Sequence, residues 1–288
     1  MTNLNLENFE ENLQKRINSQ IDTYFSSNSQ IQEAMEFALT APGKRVRPLL
    51  IYLVGDIYNI PLERLDSLAL ASEIIHTYSL VHDDLPCMDD DDLRRGQPTL
   101  HKKYSESTAV LAGDAMQSLA VQIILEDEKL SNELKVSIIS LLMKNIGYKG
   151  MILGQEQDIS FEKKSVSKEE IIQMNYLKTG LLIEFCILAP LLIAEIEKNE
   201  WNKIAKNVGI AFQLVDDLHP YMYEYGYKMF FTSTIDDETV IFDLNETDDQ
   251  EKAMKMLSLP EVINMRKEAG VDLESQETLS TISKHKVW

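Results

Sequence analysis

The chain has 288 residues, 44% of them hydrophobic, and a formal net charge of −19. Length and apolar content allow a substantial core in one large domain or two smaller ones, and the charge argues against non-specific binding to nucleic acid or to an anionic membrane surface. Only two cysteines occur, Cys87 and Cys186, which excludes a disulfide framework and a thiolate zinc site and suits a reducing cytoplasm.

The opening stretch MTNLNLENFEEN is polar and acidic and lacks the basic start and apolar run of a signal peptide. Helix then follows helix. Leu65, Leu68, Ala69, Ser72, Ile75, His76 and Ser79 repeat with the i, i+3, i+4, i+7 spacing of a helix face. Residues 67–81 contain neither Gly nor Pro, and Pro86 should break or kink the helix beyond them. Residues 108–125 form another long apolar segment, broken only by Gly113 beside Asp114; 136–146, 171–193 and 201–218 continue the pattern. The longest apolar run, 181–194, contains Glu184 and Pro190 and is too short to span a bilayer, so it is expected to be a buried helix and no transmembrane segment is expected.

After His219-Pro220 the character changes. Tyr221, Tyr223, Tyr225 and Tyr227 follow in quick succession, then β-rich runs at 229–234 and 239–244. A polar helix with Leu257, Val262 and Met265, interrupted by Pro260, precedes an alternating segment at 278–282. The expected fold class is therefore mainly α, with a small α+β strand–helix–strand segment at the C-terminus. The expected division is a helical domain over 1–219 and the atypical segment over 220–288.

Residues 82–95 hold six carboxylates and two guanidiniums. Neighbouring carboxylates repel, so stability alone does not call for such a run. Hard cations such as Mg2+ take oxygen ligands, commonly one or two carboxylates plus substrate phosphate, and arginine meets phosphate with a planar fork. Asp89 lies six positions after Asp83, about 600° around an unbroken helix and hence on another face. A kink at Pro86 would bring it back alongside. The competing reading is an exposed, solvated acidic loop.

A second carboxylate pair, Asp216-Asp217, sits in FQLVDD beside Ile210, Phe212, Leu214 and Val215. Either a metal partners a carboxylate close to the core, because an unpaired buried charge is expensive, or the pair marks a partly exposed helix end. Basic groups occur as Lys44, Arg45 and Arg47 in PGKRVRP, as Arg94 and Arg95, and as Lys178 next to Thr179. His76 lies seven residues before Asp83, nearly on the same helix face, although a lone helical His is more often packed in a core. Gly154-Gln155-Glu156-Gln157-Asp158 adds a polar cluster in an apolar region.

In this order, GKRVRP, EIIHTYSLVHDDLPCMDDDDLRRGQPT, LAGDA, GQEQDI, KTG and FQLVDD resemble the blocks of the trans-type isoprenyl diphosphate synthases, the farnesyl and geranylgeranyl diphosphate synthase family, over about residues 10–218. The resemblance implies an isoprenoid-synthase-type helical bundle around a central cavity, a homodimer, and magnesium as cofactor. It implies that Asp83, Asp84 and Asp89 hold magnesium at the diphosphate of an allylic substrate, with Asp216 holding a further ion from the opposite wall. Lys44, Arg47, His76 and Arg95 match positions that bind isopentenyl diphosphate; Arg94, Lys178, Thr179 and Gln213 match positions around the allylic diphosphate. Asp83, Asp84, Asp89, Arg94 and Lys178 would carry the catalytic role: the allylic C–O bond ionises as charge on the departing diphosphate is stabilised, apolar walls keep water from the carbocation, and the isopentenyl double bond attacks. Tyr78 and Ser79, five and four residues before Asp83, would limit chain length, and with the Pro86-Cys87 insertion they imply a C15 product, farnesyl diphosphate. Tyr78 as plain core is the other reading of that position.

The sequence also departs from the family pattern. Pro220 stands where the second motif has a third aspartate, and the Lys-rich loop and the helices that should follow are not recognisable. Residues 221–288 are instead distantly similar to the C-terminal half of small ferredoxin-like α+β domains that dimerise through their sheets. A fusion, a frameshift join or a truncated gene would account for the join, and the tail would alter assembly. Reduced activity is expected, with a non-catalytic partner subunit or degenerate paralogue of a prenyl synthase as the alternative.

Overall fold

A computed structural model describes residues 12, 15–21, 24, 29–161, 166–197, 200–210, 212, 230–235 and 238–243. The chain falls into two compact units, Met1–Ile210 and Ala211–Trp288. The boundary expected at 219–220, the tail helix and the 278–282 segment lie outside the described residues.

The first unit is helical. Its helices are Gln30–Thr40, Val46–Ile57, Asp66–Asp83, Glu106–Glu126, Asn132–Ile146, Met151–Phe161, Lys168–Asn175 and Leu181–Ile193, with a short one at Leu100–Lys103 and helical residues at 15–21 and 200–210. Serines start several of them. Ser29, Ser105 and Ser131 each accept a bond from the backbone of the first turn, and Ser167 forms a capping box with Glu170.

The Asp66–Asp83 helix forms the centre. Residues on every side of it are buried, from Leu68, Ala69 and Leu70 to Ile74, Ile75 and Tyr78, which is the pattern of a core helix rather than a surface one. It packs on the Glu106–Glu126 helix, where small residues permit close approach: a Cβ on Gly113 would overlap the ring of His82. At its N-terminal end Asp66 receives Arg16 Nε and Nη2 at 2.6 and 2.5 Å and the Tyr52 hydroxyl at 2.6 Å, which ties residues 15–21 to the bundle.

The apolar run 181–194 corresponds to the Leu181–Ile193 helix, with Phe185, Cys186, Ile187, Leu188 and Leu191 all buried. The length expectation needs correction, however. The helix continues upstream through a single π-helical turn, Tyr176–Gly180, so a 25-residue stretch, Glu169–Ile193, is long and apolar enough to cross a membrane by length and composition. Glu106–Glu126 and Asn132–Phe161 meet the same criterion. The sequence run stopped at charged and polar residues such as Lys178, which a helix can carry on one face without ending.

In the second unit, Phe230–Ile235 pairs antiparallel with Glu238–Asp243, with Phe230 opposite Asp243 and Ile235 opposite Glu238. These strands lie within one residue of the β-rich runs read from the sequence.

Candidate active site

Pro86 dictates the geometry at the end of the central helix. The residue before a proline is pushed out of the helical region, and proline has no N–H to continue the ladder. The helix ends at Asp83, with Asp84 as its C-cap. The chain then doubles back: Met88 and Asp90 donate to the carbonyl of Leu85 at 2.8 and 3.1 Å, and Asp89 donates to the carbonyl of Asp83 at 2.8 Å. The kink expected from Pro86 thus does bring Asp89 beside Asp83.

The run then forms a minute hairpin, Leu93–Arg94 paired with Gln97–Pro98. Its two turn residues, Arg95 and Gly96, both have positive φ, 52° and 78°, the signature of a type I′ turn. Arg95 therefore holds a left-handed conformation that bulky residues disfavour. Its Nη1 donates to the carbonyl of Pro42 at 2.7 Å, and its guanidinium lies where a Cβ on Gly43 would be. The acidic loop and the GKRVRP loop are thereby joined.

A cavity of about 500 Å³ opens beside the central helix. Arg47, His76, Asp83, Lys178 and Thr179 are among the charged and polar residues of its lining, with Glu156 and His82, while Tyr78, Met88, Met151, Ile159 and Leu182 supply much of the apolar part. Ser79 also lines it and returns its hydroxyl to the carbonyl of His76. Tyr78 is both core and cavity wall: it is 4% exposed, stacks edge-on against His82, and faces the space.

Lys178 projects from the π-helical turn, a feature frequent at functional sites. Its ammonium lies 2.5 Å from Asp158 Oδ2 and 3.9 Å from Asp83 Oδ2. Burial works against its charge, but Asp83, Asp158 and Asp89 outweigh that and raise its pKa. Burial pushes the Asp83 carboxyl up to about 7; Lys178 opposes the shift and Asp89 adds to it. Asp89 is also raised, first by burial, then against Lys178 by Asp158 and Asp91. Burial, followed by the guanidiniums of Arg47, Arg95, Arg45 and Arg94, holds His76 well below the usual imidazole value, so it is neutral.

Other expected site residues are placed differently. Asp84 is buried and does not line the cavity; its Oδ1 accepts from Arg94 Nε at 2.6 Å, and Arg94 also reaches Asp91 at 3.3 Å. Arg94, Lys44, Arg95 and Asp89 do not line the cavity either, and Lys44 and Asp89 are exposed. Gln213 and Asp216 lie outside the described residues.

Among the described residues, no three His, Cys, Asp or Glu side chains converge on a metal position. A magnesium site does not require that, because substrate phosphates and water complete the shell around one or two carboxylates. Asp83 and Asp89 fit such a site. They are hard oxygen donors whose backbones are tied by the bond from Asp89 N–H to the Asp83 carbonyl, and burial raises the pKa of both carboxyls.

In the sequence Asp158 and Gln155 stand out only as members of the polar cluster 154–158, and Gln117 not at all; Gln155 and Gln117 line the same cavity. The polar cluster 154–158 carried the signal. On a helix Gln155 and Asp158 are three apart and share a face, and Gly154 lets that helix approach the π turn, since a Cβ there would fall 2.6 Å from the Cα of Lys178. Among the described residues, neither the Gln155 amide nor the Tyr78 hydroxyl has a hydrogen-bond partner.

The chain is also similar to known proteins. A family model described as Polyprenyl synthetase matches residues 28–226. The chain is 41% identical over 217 residues to the farnesyl diphosphate synthase of Haemophilus influenzae, covering 72% of this chain and 74% of that protein. It is similar in structure to a geranyltransferase from Legionella pneumophila, with a TM-score of 0.71, 30% identity, and 97% and 96% of the two chains covered. An FPP/GFPP synthase from Zymomonas mobilis gives a TM-score of 0.73 at 30% identity over 94% of this chain and 95% of that one. With the match extending from before the GKRVRP loop to beyond the second aspartate pair, the chain belongs to the polyprenyl synthetase family.

Proposed function

We propose that this protein is a trans-prenyltransferase that condenses isopentenyl diphosphate with dimethylallyl or geranyl diphosphate to give a short-chain product, farnesyl diphosphate. One observation carries the reading. Asp83 and Lys178 stand 3.9 Å apart on the wall of a largely apolar cavity that also presents Arg47 and His76. The relatives named for farnesyl diphosphate synthesis support it and do not favour the non-catalytic alternative.

Each residue then has a physical task. Lys178 directs positive charge at the departing diphosphate, where charge develops as the C–O bond breaks. Asp83 and Asp89 would hold magnesium, which when bound supplies further neutralisation of that leaving group. Arg47, and neutral His76 as a hydrogen-bond donor, would orient the isopentenyl diphosphate. Tyr78, Met151 and Leu182 would exclude water from the allylic cation while the double bond attacks and the released diphosphate takes the departing proton. Pro220 in place of a third aspartate removes one oxygen donor from the second motif, so turnover is expected to be low. The reading includes a homodimer in a reducing cytoplasm without a membrane span.

The test is turnover of labelled isopentenyl diphosphate with geranyl diphosphate, with and without Mg2+, followed by chromatography of the products. Metal-dependent C15 product is expected. Absence of any product from monodisperse protein at saturating Mg2+ would overturn the reading.

A further inference from the structure

Arg45 lies between Lys44 and Arg47, yet it points away from both solvent and cavity. Its side chain is 2% exposed, and its backbone is left-handed, with φ of 50°. The guanidinium donates to the Glu73 carboxylate, itself 3% exposed, and to the carbonyls of Leu39 at 2.6 Å and Ala41 at 2.9 Å. Glu73 sits on the central helix three residues before His76, so the two lie on one face a turn apart. Two carbonyls of the 39–42 segment and one carboxylate of the site helix therefore meet at a single fork. Arg95 adds a second tie at Pro42.

A buried ion pair is weak evidence for stability, because removing two charges from water offsets most of their attraction; its best-attested use is to fix register. A left-handed, non-glycine backbone persists only where the surroundings hold it. Both features fall on the one loop whose flanking side chains the reading above assigns to a substrate diphosphate. We propose that Arg45, through Glu73, is a positioning residue that sets the GKRVRP loop against the helix carrying His76, and so aligns Lys44 and Arg47 on the non-allylic diphosphate. This role rests on the reading of those three residues as binding groups for isopentenyl diphosphate.

The test compares wild type with Arg45→Met and with the double variant Arg45→Met, Glu73→Leu. The single variant strands a buried carboxylate and lowers the thermal midpoint. The double variant removes both charges at similar volume and recovers the part of that loss due to the stranded carboxylate, while the Leu39 and Ala41 carbonyls remain without their donor. In the recovered double variant the KM for isopentenyl diphosphate is expected to rise about tenfold, while kcat and the KM for geranyl diphosphate stay within about twofold. A purely structural pair would not split the two KM values, so a double variant with wild-type KM for isopentenyl diphosphate overturns the proposal. If the double variant does not fold, Arg45→Lys, which keeps the charge but not the fork, should show the same split, and unchanged KM values there overturn it equally. Calorimetric titration with inorganic pyrophosphate, without divalent metal, separates this inference from the function. Should wild type fail to turn over, the function falls, and the dependence of pyrophosphate affinity on Arg45 alone decides: a loss of about tenfold sustains the positioning role and no change ends it.

Discussion

The amide of Asp89 donates to the carbonyl of Asp83 across 2.8 Å, although the two residues stand six positions apart. Asp84, adjacent to Asp83 in sequence, is turned away and bound to Arg94. The three aspartates expected as metal ligands therefore differ. Asp89→Ala should weaken Mn2+ binding in the presence of pyrophosphate by at least about tenfold, a loss typical of metal-site substitutions. Asp84→Ala should affect it less and instead lower the thermal midpoint, because Arg94 loses its main partner. Electron paramagnetic resonance of free Mn2+ reads the affinities, and equal losses in the two variants would refute the distinction.

Gly154 is where the helix bearing Asp158 touches the π turn bearing Lys178. A Cβ there meets backbone, the N and Cα of Lys178, which cannot rotate aside. Gly154→Ala should displace Lys178 from Asp83 and Asp158 and lower kcat by roughly 100-fold, the scale associated with a shift of about an ångström at a reacting centre. Circular dichroism would show the helices retained. Wild-type kcat in a folded Gly154→Ala protein would mean the π turn does not position the ammonium.

In the sequence Gly154 is only the first residue of a polar cluster, and its contact with the π turn is set by packing. The central helix, its end before Pro86 and the return of Asp89 were legible, because periodicity and proline sterics act locally. Lys178 and Asp83 were each recognised from their motifs, but the ammonium's partner Asp158 was not, since contact across twenty residues depends on helix packing that no local pattern encodes. The π turn itself was invisible, because 176–180 reads as ordinary helix. Arg45 looked like one more cation in a basic loop; only the fold shows it facing Glu73. Arg95 followed the same logic in reverse, its left-handed turn position signalled only by the glycine after it.

Tyr78 stacks on His82, which packs against Gly113, and its ring lines the cavity. Tyr78→Ala should extend the space available to a growing chain and shift the product beyond C15, read by chromatography of labelled products. Truncating so large a buried ring also destabilises, by about 3–5 kcal/mol, so Tyr78→Leu serves as a milder companion. Unchanged product length in both variants would make Tyr78 core alone.

His76 gives the pH dependence a sign. Burial and the guanidiniums of Arg47, Arg95, Arg45 and Arg94 hold its pKa well below the usual value in the folded protein, whereas in the unfolded chain it titrates near about 6.5. Below that pH the unfolded chain takes up a proton that the folded one refuses, so the His76 contribution to stability is complete above about pH 6.5 and is lost as the pH falls toward the depressed value. Glutamine keeps an N–H donor but cannot titrate. The thermal midpoint of wild type should therefore fall more steeply between about pH 7 and pH 5 than that of His76→Gln, with the difference between the two curves isolating this one group from the carboxylates common to both. Parallel curves would mean that the imidazole takes up its proton in the folded site as readily as in the unfolded chain, and that neither burial nor the surrounding guanidiniums hold it neutral.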